Sequence, residues 1–235
     1  MALSFDTKYD LGLIGSGTYR FRHYGSNITL SYEVLEYIYS TGNARVLIDD
    51  VTSVNYPGYA GYDIDIKITT RSRSWGRYMG NNDLPPYPTI NNNTSGTGSG
   101  NIQISSYING STQQPIVTFA TSSDWRNIVV DDDKVYIDSV LQNSGLQNQG
   151  WTAGTTGIGF GLFSTNWVAG GAQCYIGTCD LYAAGVKIKQ LVPVKRNIDS
   201  ALGYYDRLSN TFYPTSDNPS NLTAGPTTGE VITPS

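Results

Sequence analysis

The segment that most constrains the fold is AGVKIKQLVPVKRNIDSALGYYDRLSNTFYPTSDNPSNLTA, residues 184–224. Apolar and lysine side chains alternate over residues 186–189, so that Val186 and Ile188 would face one way and the two lysines the other. Alternation with a period of two predicts a β-strand with one buried face. Pro193 has no backbone N–H to donate to a neighbouring strand, which predicts a strand end or a sheet edge at this position.

The remainder of this segment predicts short apolar runs separated by polar turns. A polar turn is predicted at residues 197–200, after the first strand, and apolar runs come next at residues 201–205 and 211–213. Residues 206–210 between these runs contain the Asp, Ser and Asn that favour turns.

Outside this segment, the clearest strand is predicted over residues 62–69. Isoleucines would form its buried face and polar residues its exposed face: Ile64, Ile66 and Ile68 against Asp63, Asp65, Lys67 and Thr69. Residues 74–79 are predicted to follow as its hairpin partner. Residues 85–100 combine prolines, an Asn run and Gly/Ser repeats, which predicts a long, outward-facing loop that adds nothing to the core.

The composition favours an all-β protein of one domain. The chain has 235 residues, of which 39% are hydrophobic and 12% aromatic, with 18 Tyr and 26 Gly. Only 14% are charged, and three of these residues are Glu. Strong helix formers are therefore scarce, whereas strand formers and turn formers are abundant. A domain of this length buries about 70% of the surface of its unfolded chain, which is enough for a stable core.

Charge and hydropathy argue against several function classes. The formal net charge of −4 gives no electrostatic footprint for nucleic acid. No run approaches the ~20 apolar residues of a membrane-spanning helix, and the N-terminal segment lacks the basic and apolar regions of a signal peptide. We therefore expect no nucleic-acid or membrane partner, and a protein that stays in the cytoplasm or leaves it inside a larger assembly.

The segment at residues 184–224 also resembles a known type of domain. The strand ending in LVPVKR, the N-x-D-x-x-x-G-x-Y-D pattern, the FY pair and a late TAG are similar to the C-terminal end of concanavalin A-like (laminin G-like) jelly rolls. Residues 35–49, which include EYIYSTG, are similar to the opening of the same domains. The residues that carry the C-terminal resemblance are Leu191, Val192, Pro193, Arg196, Asn197, Asp199, Gly203, Tyr205, Asp206, Phe212, Tyr213, Thr223, Ala224 and Gly225.

Jelly rolls that end in this way are frequent in structural proteins of tailed phages and in some bacterial surface proteins. The resemblance implies an all-β, two-sheet antiparallel jelly roll over residues 31–225. Residues 1–30 would be an N-terminal arm or an extra strand, and residues 226–235 an extended tail.

The same resemblance implies a non-enzymatic virion structural protein that is assembled in the host cytoplasm. It would bind major capsid or tail proteins, and capsid decoration is the favoured role. Whether it forms homo-oligomers stays open. The alternative is a carbohydrate-binding module of a phage tail or fibre, or of a bacterial surface protein, that recognises host glycan.

One candidate interface follows from the residues themselves. On a strand, Arg71, Arg73, Trp75 and Arg77 would share one face, with Tyr78 beside them. Guanidinium groups and an indole ring can stack on a sugar or a base, or hold a phosphate or carboxylate. Arg and Trp are also enriched at protein–protein interfaces. We predict that these five residues contact another virion protein or, in the alternative, a ligand.

The sequence offers no convincing catalytic set. A serine or cysteine triad needs a histidine, and the single one, His23, has no G-x-S-x-G motif with it. A glycosidase needs paired carboxylates, but Glu33 and Glu36 have opposite parity on a strand. Asp63 and Asp65 would share a face, which solvated surface charges explain equally well. We therefore predict no enzyme activity and no cofactor.

Two short motifs leave alternatives open. Asp131, Asp132 and Asp133 could supply oxygen ligands to Ca²⁺, but no EF-hand spacing accompanies them, so a hairpin turn is favoured and no metal site is predicted. Cys174 and Cys179 could bridge across a tight turn, but two free, partly buried thiols are favoured. One such pair without further cysteines is not a zinc site.

Overall fold

A computed structural model of the chain describes residues 9–14, 18–23, 30–52, 55–56, 60–68, 76–80, 89–92, 101–108, 112–120, 122–131, 134–143, 159–164 and 173–234. The chain divides into two compact units, Met1–Leu30 and Ser31–Ser235. In the first unit, β1 (Tyr9–Ile14) and β2 (Thr18–His23) pair as a two-stranded antiparallel sheet. This pair is the described part of the predicted arm or extra strand.

The second unit consists of strands joined by turns and loops. Its described strands are β3 (Tyr32–Leu35), β4 (Ile38–Ser40), β5 (Arg45–Ile48), β6 (Ala60–Lys67), β7 (Gly76–Gly80), β8 (Thr89–Asn92), β9 (Asn101–Ile108), β10 (Thr112–Ala120), β11 (Arg126–Asp131), β12 (Lys134–Ile137), β13 (Val140–Asn143), β14 (Phe160–Leu162), β15 (Cys174–Ala183), β16 (Val186–Arg196), β17 (Leu202–Asp206), β18 (Thr211–Asp217), β19 (Leu222–Ala224) and β20 (Thr227–Ile232). A short 3-10 turn, Pro219–Asn221, precedes β19.

These strands pair into one large sheet of mostly antiparallel strands. One run of neighbours is β13-β12-β11-β6-β15-β16-β17-β18. Strand β18 also pairs with β5, from which a second run continues as β14-β7-β8-β9-β10. Strands β3 and β4 pair with β16 and β15, and β20 and β19 pair with β3 and β4. The prediction of an all-β protein is confirmed.

The alternation predicted for residues 62–69 is confirmed over β6. Ile64, Ile66 and Ile68 are 0%, 1% and 4% exposed, and the polar residues between them lie on the opposite, partly exposed face. Burial of each isoleucine side chain contributes roughly 1.5–3 kcal/mol of hydrophobic stabilisation. These isoleucines share one hydrophobic core with residues of the second run, such as Phe160.

Strand β16 confirms the strand predicted at residues 186–189, but its exposed and buried residues differ from the prediction. Val186 is 64% exposed, whereas Lys189 is 1% exposed. The register between β15 and β16 shifts between Leu181 and Tyr182, opposite this part of β16. Lys189 can be buried because carboxylates and a tyrosine surround its ammonium group, a circumstance that alternation alone does not reveal.

Pro193 lies inside β16 and not at a strand end. One edge of β16 pairs with β17 over residues 191–195. The other edge pairs with β15 as far as Leu191 and with β3 from Val194 onward. Proline cannot donate to a strand ladder, and Pro193 occupies the position where the neighbour of β16 changes.

Residues 85–100, predicted as an exposed loop, contain strand β8. Thr89, Ile90 and Asn91 are 1%, 0% and 6% exposed, so the prediction is wrong for these residues. The side-chain amide of Asn91 donates to Thr89 Oγ1 at 2.9 Å. Buried polar side chains are tolerated when they form hydrogen bonds, which composition alone does not show. Residues 85–88 and 93–100 lie outside the described part of the chain.

Strand β20 occupies most of the predicted C-terminal tail, residues 226–235. It pairs with β3, with Ile232 opposite Tyr32. Arg207 Nη2 lies 2.7 Å from Glu230 Oε2 and links β20 to the turn after β17. This part of the tail is therefore a strand of the sheet.

Candidate ligand-binding face

Most of the predicted interface residues lie outside the described part of the chain. Arg71, Arg73 and Trp75 are not described, and Arg77 is described only as a backbone position of β7. Tyr78 is fully buried in the hydrophobic core. Strand β7 pairs with β8 and β14, while β6 pairs with β11 and β15, so the predicted hairpin between β6 and β7 is wrong. The interface role of the arginines and Trp75 stays a prediction.

A cluster of charged groups around the buried Lys189 links the segment that resembles the jelly-roll domains to Asp50. We call Lys189, Asp50, Asp206 and Tyr213 the lysine cluster. Lys189 Nζ lies 2.5 Å from Asp50 Oδ2 and 3.3 Å from Asp206 Oδ2. It donates to Tyr213 Oη at 2.7 Å, and Tyr213 donates in turn to Asp50 Oδ1 at 2.7 Å. Asp206 also accepts from the Ser209 hydroxyl and from the backbone N–H groups at 190 and 208.

These contacts determine the charge state of the lysine cluster. Burial opposes the charge of Lys189, but hydrogen bonds to Asp50 and Tyr213 outweigh it and raise the pKa of Lys189 above its usual value. Burial also opposes the charge of Asp206, yet its hydrogen bonds and the nearby ammonium hold the pKa of Asp206 below its usual range. Both groups are therefore ionised at neutral pH. Their contacts tie β16, β17 and β18 together, which is a structural role.

Glycines of the same segment allow two close contacts. A Cβ atom at Gly203 would lie 2.2 Å from the backbone oxygen of Tyr213. A Cβ atom at Gly225 would lie 2.7 Å from both the backbone oxygen and the ring Cδ2 atom of Tyr37. Any larger residue would force the backbone or the ring to move. Several residues that carry the resemblance therefore hold strands together, and they give information about the fold and not about a ligand.

Tyr37 belongs to a second group of residues, which faces outward. We call Tyr37, Tyr39, Tyr175, Trp125 and Lys67 the aromatic surface. Tyr39 on β4 pairs with Tyr175 on β15, which pairs with Lys67 on β6. Trp125 is the next side chain in this row across the sheet, because it directly precedes β11, the other neighbour of β6. Adjacent strands lie about 4.8 Å apart, so this row of four side chains spans about 14 Å.

The rings of the aromatic surface contact one another. Tyr39 stacks on Tyr175 with centroids 4.4 Å apart, and Tyr37 meets Tyr175 edge-on at 5.3 Å. The ring of Tyr37 also lies 5.7 Å from that of Trp125. Lys67 Nζ lies 4.4 Å from the centroid of Tyr175 and 5.9 Å from that of Trp125, within the range of cation–π interactions. These contacts restrain the orientation of each ring.

The aromatic surface is open to solvent. Trp125 is 39% exposed, and the other four residues are partly exposed. Sequence reasoning missed it as a site, although period-two alternation places Tyr37 and Tyr39 opposite the buried Ile38. That signal gives the orientation of each strand, but it does not show that β4, β15 and β6 are neighbours.

A group of hydrogen-bonded polar residues borders the aromatic surface. We call Asp63, Asp65, Asn127 and Thr178 the polar cluster. The Asn127 amide donates to Asp63 Oδ1 at 2.7 Å and to Asp65 Oδ1 at 3.1 Å, and the Thr178 hydroxyl donates to Asp65 Oδ2 at 3.0 Å. The prediction that the two aspartates share a face is confirmed. A carboxylate has about four acceptor sites, so the described donors leave both with capacity to accept more hydrogen bonds.

The other candidate motifs add no second site among the described residues. Strand β11 ends at Asp131 and pairs there with Lys134, the first residue of β12, as the hairpin prediction requires; the two aspartates between them are not described. No group of three or more His, Cys, Asp or Glu in the described part of the chain could hold a metal ion. Cys174 and Cys179 are free thiols, as the favoured prediction has it, but both are fully buried and not partly buried. Burial raises the pKa of both thiols.

The described residues include no helix long and apolar enough to cross a membrane. Comparison with protein-family models, with curated protein sequences and with solved structures finds no match. The all-β architecture therefore rests on the structure, whereas the likeness to concanavalin A-like domains rests on the sequence resemblance.

Proposed function

We propose that the chain is a non-enzymatic structural protein of a tailed-phage virion, folded as a two-sheet concanavalin A-like jelly roll. The observation that carries this proposal is where the resembling residues lie. Asp206 balances the charge of Lys189, Gly203 allows the backbone of β18 to approach closely, and Gly225 packs against Tyr37. A match at positions that hold strands together is evidence for a shared fold, because such positions constrain the backbone.

The strand order also supports a two-sheet arrangement. Two runs of strands meet at β18, which pairs with β17 over residues 211–214 and with β5 over residues 215–217. In packed sheets, a strand that switches from one sheet to the other makes a corner. Side chains from both runs, such as Ile64 and Ile104, share one hydrophobic core, as expected for sheets packed face to face.

Within the particle, the proposed role is capsid decoration by binding the major capsid protein, with tail proteins as the other partners. Residues 1–30 together with Arg71, Arg73, Trp75 and Arg77 would make the contacts, since Arg and Trp are favoured at protein interfaces. This assignment comes from the sequence, because the side chains concerned are not among those described.

The copy number in purified particles tests this proposal. Quantitative mass spectrometry should find the chain in numbers comparable to the major shell protein if it decorates the capsid, and its absence from particles would end the virion proposal. The double variant Arg73→Ala with Trp75→Ala should be incorporated less well than wild type. Arg207→Ala, which removes an exposed ion pair with Glu230, is the control and should be incorporated normally.

A second candidate function is a carbohydrate-binding module that recognises host glycan, and the aromatic surface favours it. Exposed rings beside hydrogen-bonding groups suit stacking on sugars and bonding to hydroxyl groups. A handful of copies per particle would point to the tail, where glycan recognition takes place. One virion protein can have both functions.

A further inference from the structure

We propose that the aromatic surface and the polar cluster together bind a neutral oligosaccharide. The inference gives the carbohydrate-binding candidate a defined site and ligand class, and it does not depend on the virion proposal. It rests on two adjacent features of one sheet face: restrained, partly exposed rings and carboxylates that retain acceptor capacity.

The aromatic rings supply the apolar part of the site. The face of an aromatic ring is electron-rich, and it attracts the C–H bonds on the flat side of a sugar ring. Trp125 is the most exposed of the rings and would be the main stacking platform. Tyr37 and Lys67 contact its ring and hold it in place, so that little side-chain entropy is lost on binding. The row of about 14 Å favours an oligosaccharide over a single sugar.

The polar cluster supplies the hydrogen bonds. Sugar hydroxyl groups can donate hydrogen bonds, and the carboxylate oxygens of Asp63 and Asp65 can accept them. The Asn127 amide already bridges both carboxylates, so their positions are set before a ligand binds. Hydrogen bonds to a charged acceptor are stronger than neutral ones. Asp65 precedes Lys67 by two positions on β6, so a sugar stacked on the rings can place a hydroxyl near this carboxylate.

The charges of this face argue against other ligands. A cationic ligand on the rings would be repelled by Lys67, whose ammonium already lies against the Tyr175 ring. An anionic ligand such as nucleic acid would meet the carboxylates of Asp63 and Asp65. A protein partner with an apolar surface would bury both carboxylates against the single ammonium of Lys67, so at least one charge would lack a counter-charge, which is costly. A neutral, hydroxyl-rich ligand avoids all three penalties.

Tryptophan fluorescence and titration calorimetry on the purified full-length chain test the proposal. The probes are neutral hexasaccharides of glucose, mannose, galactose and N-acetylglucosamine, with a hexamer of galacturonic acid as the anionic comparison. At least one neutral probe should bind, and Trp125→Ala should weaken that binding by about tenfold or more. Asp65→Asn should weaken it as well, and the anionic hexamer should bind more weakly than the neutral one.

The matched control is Tyr182→Ala. Tyr182 also lies on β15 beside a lysine, with Lys187 Nζ 5.7 Å from its ring, but it is seven residues from Tyr175 and outside the aromatic surface. This variant should bind the probe as wild type does. Circular dichroism checks that each variant is folded. Protection of Trp125 from oxidation by the bound probe, read by peptide mass spectrometry, needs no variant.

The results of these experiments distinguish the oligosaccharide proposal from the virion proposal. Failure of every neutral probe to bind, or binding that Trp125→Ala leaves unchanged, would overturn the inference. Loss of shell-protein binding in Trp125→Ala, without any sugar binding by wild type, would overturn it too and would make this face a protein interface. None of these results changes the copy number that tests the virion proposal.

Discussion

The lysine cluster differs in environment from the aromatic surface and the polar cluster beside it, although the residue types are similar. Lysine, tyrosine and aspartate side chains make up the lysine cluster, and the same three types occur in the aromatic surface and the polar cluster taken together. Lys189 is 1% exposed and its ammonium has an anionic partner on either side. Lys67 is partly exposed and lies against aromatic rings.

The difference shows that burial and hydrogen-bond saturation, not residue type, separate a structural cluster from a candidate site. Asp206 is fully buried and accepts from a serine hydroxyl and two backbone groups besides facing Lys189. Asp65 lies on the partly exposed face and retains acceptor sites. A ligand could bind the second group without disturbing the fold, whereas Lys189 and Asp206 of the first group are buried and already bonded to partners inside the fold.

Removal of Asp206 should have the largest effect on stability. Asp206→Ala would leave Lys189 buried with one anionic partner fewer and would orphan the backbone donors at 190 and 208. Breaking a buried ion pair in this way costs about 3–5 kcal/mol of unfolding free energy. Urea denaturation measures the change. Asp199→Ala, which removes an exposed ion pair with Arg196, should cost about 0–1 kcal/mol. Equal losses of unfolding free energy in both variants would contradict the structural role given to the lysine cluster.

Gly203→Ala should have the next largest effect. The added Cβ atom would lie 2.2 Å from the backbone oxygen of Tyr213, so β17 and β18 must separate or distort. Overpacking of this kind costs about 1–3 kcal/mol, to be read from the urea midpoint. A variant as stable as wild type would show that this close contact does not hold the two strands together.

The pH dependence of stability should change in Asp206→Asn. Because the folded-state pKa of Asp206 is below its usual value, its stabilising contribution is present above the unfolded-state pKa of about 4. That contribution is lost as the pH falls through the folded-state value. The variant should therefore lose less stability than wild type between pH 5 and the acid range, as measured by urea unfolding at several pH values. Identical slopes would argue against an ionised Asp206.

Trp125→Ala should have the smallest effect on stability, in contrast to its effect on binding. Trp125 is 39% exposed, and its removal deletes mainly the ring contacts with Tyr37 and Lys67, so we expect a loss of about 1 kcal/mol of unfolding free energy. Thermal and urea unfolding of this variant give the value. A loss of several kcal/mol would mean that Trp125 is a structural residue and that the two regions do not differ as described.

Patterns within one strand could be predicted from the sequence, whereas contacts between strands could not. The alternation of Ile64, Ile66 and Ile68 gave β6 and its polar face correctly, because period two is a local property. The same reasoning wrongly predicted that Lys189 is exposed, because the partners that permit its burial lie on other strands. Likewise β8 was missed, since the buried Thr89 and Asn91 look like loop residues when their neighbours are unknown.

The candidate site could not be predicted from the sequence either, because it depends on which strands are neighbours. Tyr37 and Tyr39 come from a segment that resembles a family motif, while Tyr175 and Trp125 are far from it in the chain. Only the pairing of β4, β15, β6 and β11 brings these side chains into one row.

Hydrogen–deuterium exchange of the intact protein, with and without the neutral hexasaccharide that binds best, is the most direct test of the two roles. It shows whether the aromatic surface binds sugar while the lysine cluster only stabilises the fold. We expect slower exchange in peptides that contain Tyr37, Lys67, Trp125 and Tyr175, with no change in peptides from β16 to β18. Protection that appears in β16 to β18 and is missing from the aromatic surface would contradict this division of roles.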